Sequence, residues 1–306
     1  NMAKLVVDDL NYKHSGGFGS HKIHAQLLLS QLDECLALKP DLLKDTKFIN
    51  AYLTKLRPDA DVDWEHDPQE RKAYYERMWA FVKRLPASQN SLKANVLFHR
   101  LAYDRSEGVY DKALFMEYIK LPRNVAYINR TYNQKPEHRM VRANLAANYK
   151  TYTMLVSVQT DEPLVRDFLA RFVIDAEDYK EFTPYIESNY MKRLFAETKV
   201  LNGVGDMERW YSLLTPEEYK ALKERVDIEF LPTNKEIIAA GDAVTLDVAV
   251  KNVEKLIIKT YRINTMNYYR DHMKPVTTAI DLDGLVANEE TVVRYDQIPQ
   301  RRHTET

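Results

Sequence analysis

Features that would assign a chemistry to this sequence at once are few. It has one cysteine, Cys35, so no internal disulfide can form. That suits a reducing compartment, and it suits equally the many bacterial envelope proteins that lack disulfides. Cys35 sits in Asp33-Glu34-Cys35-Leu36, where acidic neighbours raise a thiol pKa and disfavour the thiolate, so it reads as a buried bystander. No stretch approaches the ~20 apolar residues of a membrane-spanning helix. Residues Asn1–Asp9 lack the basic and apolar regions of a signal peptide. Neither sign of charge is in excess: the net charge is -1, and Val226–Thr306 carries 10 Lys/Arg against 13 Asp/Glu. Without a polarised field there is no general attraction for nucleic acid or an anionic membrane. The 20 tyrosines are scattered and form no base-stacking motif. No fixed period recurs, which excludes a regular repeat array.

What is present is enough for two folded domains. At 306 residues, 45% hydrophobic and 11% aromatic, the chain can bury two cores. Residues 1–225 read as helix after helix. Ser20 is a candidate cap for a helix through Ile23, Leu27, Leu32, Cys35 and Leu36. Asp67-Pro68 opens another through Tyr74, Met78, Phe81 and Leu85, with proline at its first position. Ser88–Arg105, Tyr110–Leu121, Glu137–Gln159, Glu162–Ile174, Tyr179–Leu201 and Met207–Lys223 follow. Between them Arg123–Pro136 is a longer loop, either functional or draped over the surface. Asn202-Gly203 marks a helix end, and Thr215-Pro216-Glu217-Glu218 a helix start.

The register changes at Val226. Val244, Leu246, Val248 and Val250 alternate with Thr245, Asp247 and Ala249, and after the turn residues Lys251-Asn252 comes the β-rich run Leu256–Ile263. A period of two around a turn predicts a half-buried antiparallel strand pair. Asp227–Leu231, Val276–Leu282 and Thr291–Tyr295 add strands, with turns at Ala240–Ala243 and Asp283-Gly284. The expected fold is therefore multidomain α and β. An irregular helical bundle or solenoid spans residues 1–225. An antiparallel, immunoglobulin-like β-sandwich, stopping short of completion, spans residues 226–306. With its Asn1-Met2 start and its end at Thr306, the sequence reads as a piece of a longer chain.

The β region resembles the macroglobulin-type sandwich of large bacterial proteins related to α-macroglobulins. The resemblance rests on Pro232-Thr233-Asn234-Lys235, Gly241–Leu246, Val250-Lys251-Asn252-Val253, Leu256–Asn264, Asn267–Arg270 and Asp281–Asn288, with Trp210–Pro216 before the sandwich. It implies a non-enzymatic scaffold that binds polypeptides, in the cell envelope or outside the cell. The Cys-Gly-Glu-Gln thioester motif that protease trapping uses is missing.

Four local features invite a functional reading. Asp59, Asp61, Asp63, Asp67 and Glu70 fall at positions one, three, five, nine and twelve, the ligand spacing of a calcium loop, although Trp64 replaces the glycine of its sharp turn. The alternative is a solvated acidic loop whose Asp67 caps the next helix. His21 and His24, with His14 nearby, share a helix face as zinc ligands do, or form a surface pair. Gly16–Lys22 is a glycine-rich loop that either offers amides to an anion or serves as a flexible linker; it lacks the P-loop ending. Asn264–His272, polar and aromatic, is either a recognition edge or packing at the sandwich end.

Two classes of function stay open. One is a protein-interaction or scaffold segment with no cofactor beyond the candidate calcium and a polypeptide partner. The other is an enzyme whose helical domain assembles a site from groups such as His99, Glu117 and His138, which no spacing selects.

Overall fold

The computed structural model describes residues 1–235, 238–239, 241–277 and 279–306. The first helices are α1 (Met2–Leu10), α2 (Lys22–Gln26), α3 (Leu29–Leu38), α4 (Thr46–Lys55), α5 (Pro68–Val82), α6 (Asn90–Ser106) and α7 (Lys112–Ile119). After them come α8 (Arg130–Asn133), α9 (Pro136–Arg139), α10 (Lys150–Thr153), α11 (Glu162–Val173), α12 (Ser188–Asn202), α13 (Met207–Tyr211) and α14 (Pro216–Glu224). The C-terminal elements are β1 (Asp227–Phe230), β2 (Val248–Lys251), β3 (Lys255–Thr260), α15 (Thr265–His272), β4 (Glu289–Arg294) and β5 (His303–Glu305). The expected order, a helical body and then a small antiparallel β module, is what the chain forms.

Local chemistry sets several helix ends. Asp67 accepts from the amides of Gln69 and Glu70 at 2.8 and 3.2 Å, with Pro68 in the first turn where no amide is needed. Thr215 and Glu218 form a reciprocal capping box at α14. α12 ends on Gly203 at φ 65°, a left-handed conformation that glycine adopts without a Cβ penalty.

Contacts divide the chain into two units: Asn1–Leu214 with Pro232–Val244, and Thr215–Leu231 with Thr245–Thr306. The helical unit is organised on α6. Leu92, Val96 and Tyr103 of that helix enter one apolar cluster with α1, α3, α4 and α5. Ala94, Leu97 and Leu101, on another stripe of the same helix, enter a second cluster with α7, α11 and α12. Three- and four-residue spacings place apolar side chains on two stripes of α6, which makes it a shared spine, with polar side chains such as Asn90, Asn95 and His99 between them.

Several helices read from the sequence are not continuous, and the Met207–Lys223 run parts into α13 and α14. The run from Ser20 to Leu36 breaks at Leu27, whose ψ is 138°, into α2 and α3. The Glu137–Gln159 helix survives only as α9 and α10, because side chains of α6 capture the backbone between and beside them. Asn90 donates to the Val141 carbonyl at 2.9 Å, and Asn95 and His99 both donate to the Val156 carbonyl at 2.8 Å. Likewise Tyr179–Glu187 is a set of turns, and α12 begins only at Ser188.

In the second unit β1–β2–β5 form one antiparallel sheet and β3–β4 another. Asp227 pairs with Lys251 and Phe230 with Val248, while Lys255 pairs with Arg294 and Thr260 with Glu289. Val248, Val250 and Val253, with Leu256 and Tyr295, make a small core. The expected pairing of Val244–Val250 with Leu256–Ile263 does not occur: β2 and β3 lie in different sheets. The reason is at Asn252, whose φ of 54° turns the chain out of the ladder.

Its side-chain amide donates to the carbonyls of Lys223 and Arg225 at 2.6 and 2.8 Å, at the end of α14. The buried ammonium of Lys251 joins it, donating to Leu222, Lys223 and Arg225 carbonyls at 2.9, 3.1 and 2.9 Å. Helix ends leave carbonyls without intrahelical partners, and a cation is favoured there. Burial pulls the Lys251 ammonium below its ordinary pKa. Val276–Leu282 forms no strand among its described residues, Thr278 lying outside them. The expected Ala240–Ala243 turn likewise includes Ala240, outside the described residues. Asn264 caps α15, so Asn264–His272 is largely helical, and none of the helix's residues is buried.

Candidate functional site

The most developed site lies where α7 stops. Pro122 cannot continue a helix, and the freed carbonyls of the last turn are taken by side chains from the loop that follows. Arg123 Nη1 donates to the carbonyls of Tyr118 and Leu121 at 3.0 and 2.8 Å, and the Tyr132 hydroxyl donates to that of Lys120 at 2.6 Å. Arg123 is fully buried and pairs through Nε with Asp161 Oδ2 at 2.9 Å. The Tyr118 hydroxyl donates to the same carboxylate at 2.6 Å, and Tyr127 accepts from Arg123 Nη2 at 2.9 Å. A buried charge persists only when paired and hydrogen-bonded, and here every partner is within reach. Burial pushes the Tyr118 and Tyr127 hydroxyls above their ordinary range, so both stay neutral.

That knot fixes the loop from below, and a second set of bonds fixes its far end. The Asn129 amide donates to Tyr185 O, and the Glu187 amide to Tyr127 O, each at 2.8 Å. Asn129 Oδ1 caps α8, accepting from Thr131 and Tyr132 amides, while its Nδ2 donates to the Thr183 carbonyl at 2.9 Å. Between these segments opens a cleft of about 510 Å³, lined by Lys120, Tyr132, Lys135, Pro184 and Tyr185 together with Asn129 and Thr131.

Two aromatic rings and two ammonium groups dominate the cleft. Tyr132 and Tyr185 meet edge to face at 5.2 Å. Lys135 Nζ stands 5.3 Å over the Tyr132 ring and Lys120 Nζ 5.7 Å over that of Tyr185. Neither lysine has an ion-pair partner among the described residues. His138 braces Tyr132, its Nδ1 donating to the Tyr132 carbonyl at 2.7 Å. From Lys120 to Arg142 the sequence holds six Lys/Arg and one acid, Glu137. This basic run was the available signal for the cleft. Overall charge balance hides it, and so does the distance in sequence to Pro184 and Tyr185.

The residues singled out from the sequence are placed elsewhere. Asp67 caps α5, and Asp63 holds His66 Nδ1 at 2.8 Å. Asp59 and Asp61 are exposed, and Glu70 is half-buried. Trp64, at the glycine position, is buried edge-on to Tyr74 at 5.0 Å, so the loop is anchored by an aromatic plug. Among the described residues no group of three or more His, Cys, Asp or Glu is arranged to hold a metal ion.

His24 is buried and stacks on Phe18 at 4.9 Å, and its Nδ1 accepts from the Gly19 amide at 2.8 Å. An amide of the glycine-rich loop thus has a partner within the chain. With Phe18 buried, this loop packs as part of the fold where a flexible linker was one expectation. His21 lies edge-on to His24 at 5.4 Å, and His14 lies against Tyr12. His99 is spent on Val156, Glu117 is exposed on α7, and His138 braces Tyr132; no contact joins any two of these three among the described residues. Cys35 is buried and donates weakly to the Ala3 carbonyl at 3.7 Å.

Comparison with known proteins places both parts of the chain. Residues 1–226 match the family model described as the actin-binding protein F N-terminal domain, and residues 256–306 match that of the first immunoglobulin-like domain of the same protein. Actin-binding protein F of Dictyostelium discoideum is 32% identical over 286 residues, covering 93% of this chain and 12% of that protein. The chain thus spans a small part of the relative's length. No solved structure matches the chain.

These matches overturn the resemblance to bacterial macroglobulin-type proteins. The turns and alternating strands that carried it are common to immunoglobulin-like sandwiches generally, whereas the matched families account for the helical body as well. The bacterial setting falls with it, as does the envelope or extracellular location it implied, since the family is one of actin-binding proteins. The chain belongs to the actin-binding protein F family, whose N-terminal domain it carries.

Proposed function

We propose that this chain is a non-catalytic, polypeptide-binding segment that engages actin in the cytoplasm, the helical unit serving as the docking body. The supporting observation is the alignment of a relative named actin-binding protein F along 93% of the chain. Because the chain covers 12% of that relative, actin binding by this portion is the content of the proposal. An open cleft of cations and aromatic rings suits recognition of a polypeptide surface.

Ultracentrifugal pelleting with actin filaments tests it. The pelleted fraction of the chain should rise with filament concentration and saturate, while the chain alone stays in the supernatant. Filament-independent pelleting, or none at physiological salt, overturns the reading.

A further inference from the structure

We propose that the cleft between the α7–α8 loop and the 183–187 turn docks an acidic, extended segment of a polypeptide partner, with Lys120 and Lys135 taking its carboxylates. The inference rests on the polypeptide-binding reading above and names the chemistry of the partner at this site.

Geometry carries the argument. The ammonium groups of Lys120 and Lys135 sit over neighbouring tyrosine rings that are themselves in edge-to-face contact. Two cations are thus held at the cleft with no carboxylate of the chain within ion-pair distance among the described residues. Exposed ammonium groups without an ion pair of their own can take an incoming carboxylate without breaking an existing pair. Tyr132 and Tyr185 supply rigid apolar faces that side-chain methylenes can cover, each with few rotamers to lose. Pro184 continues that apolar wall.

The surroundings favour the same sign of partner. Exposed Arg130 lies on the same basic run, in which Glu137 is the one acid. The cleft is also stiff. The fully buried Arg123–Asp161 pair lies beneath the loop, and the Asn129–Tyr185 and Tyr127–Glu187 backbone bonds hold its two walls together. Little ordering is left to be done on binding, which limits the entropic cost. A polypeptide fits better than a compact anion because the lysines stand over separate rings along an open cleft of about 510 Å³.

The test uses the full chain and two probes, fluorescein-labelled poly-glutamate followed by anisotropy and actin filaments followed by pelleting. Wild type should bind poly-glutamate in a salt-sensitive manner, because exposed charges are screened within a Debye length of ~8 Å at 0.15 M. K120E/K135E should lose about tenfold or more in affinity, and K120R/K135R should keep most of it. Both sites are exposed, and an unchanged thermal midpoint of each variant confirms that the fold is intact.

Inorganic phosphate at equal ionic strength should compete no better than chloride; strong competition would mean a compact-anion site and would overturn the proposal. So would a wild type that ignores poly-glutamate, or a K120E/K135E variant that binds it normally. Actin pelleting separates the two readings. Filaments that pellet both proteins equally leave actin binding standing and remove the cleft from it. A chain that binds poly-glutamate through these lysines but never pellets with filaments keeps the acidic-segment site and removes actin as its partner.

Discussion

The buried ammonium of Lys251 offers the sharpest test of how the β unit is held. Its Nζ reaches three carbonyls at the end of α14, at 2.9, 3.1 and 2.9 Å. Lys251→Met keeps the length and apolar stem of the side chain and removes only the charged head. Hydrogen bonds to a charged group contribute about 1.5–3 kcal/mol each. Three such bonds from one buried head do not add, because the variant also escapes the desolvation cost that lowers the ammonium's pKa. Asn252 still donates to two of the three carbonyls. The net loss should therefore be about 2–3 kcal/mol.

In a unit of about 80 residues, a loss of that size lowers the thermal midpoint by roughly 10–20 °C. Circular dichroism of the full chain would follow the transition, and amide exchange would locate it, with faster exchange in α14 and β1 and none in α5 or α6. Asn252→Gly removes the second donor while tolerating the φ of 54°, and combined with Lys251→Met it should cost more than the separate losses added together. A Lys251→Met chain that melts within about 2 °C of wild type, with α14 exchange unchanged, refutes the account, since a 2 kcal/mol effect cannot hide in that interval.

Three further outcomes are expected. Arg123→Met leaves the Asp161 carboxylate buried beside Tyr118 and should cost about 3–5 kcal/mol in urea unfolding; a loss under about 1 kcal/mol would show that the pair is not needed. Burial, and next the charge of His21, lowers the His24 pKa, and burial lowers that of His99. The unfolded chain then takes up protons that the fold refuses, so stability should be intact above pH ~6.5 and fall as pH drops below it, less steeply in a His24→Gln chain. A thermal midpoint that rises toward pH 5 contradicts this. Millimolar calcium should leave the midpoint unchanged, because Asp67 is committed to its helix cap and Trp64 to the core; a rise above about 2 °C would show that Asp59–Glu70 does gather around the ion.

Local signals in the sequence were legible where the forces are local. Asp67-Pro68, Thr215–Glu218 and Asn202-Gly203 each specify a helix end from within four residues, and each does so here. The Glu137–Gln159 helix failed because its competitors, Asn90, Asn95 and His99, lie some fifty residues or more away in sequence. No local window contains them. Lys251-Asn252 carried a turn signal and did turn the chain, yet their larger task, closing the end of α14, depends on an element almost thirty residues earlier. The cleft was half legible. Its basic run lies in one stretch, but Tyr185 arrives through a pairing of Ile128 with Ile186 that no periodicity announces.

The register of β1 on β2 has a mechanical consequence. Asp227 faces Lys251 at one end of the pair, and both α14 and the chain beyond β2 leave from that same end. A tension drawn between those two exits would peel the strands apart one rung at a time, the weakest way to load an antiparallel ladder. The ammonium of Lys251 and the amide of Asn252 clasp the end of α14 at the point where peeling would start. The first event under load is then rupture of a cluster of bonds at once, and the fork cannot travel until that clasp has opened.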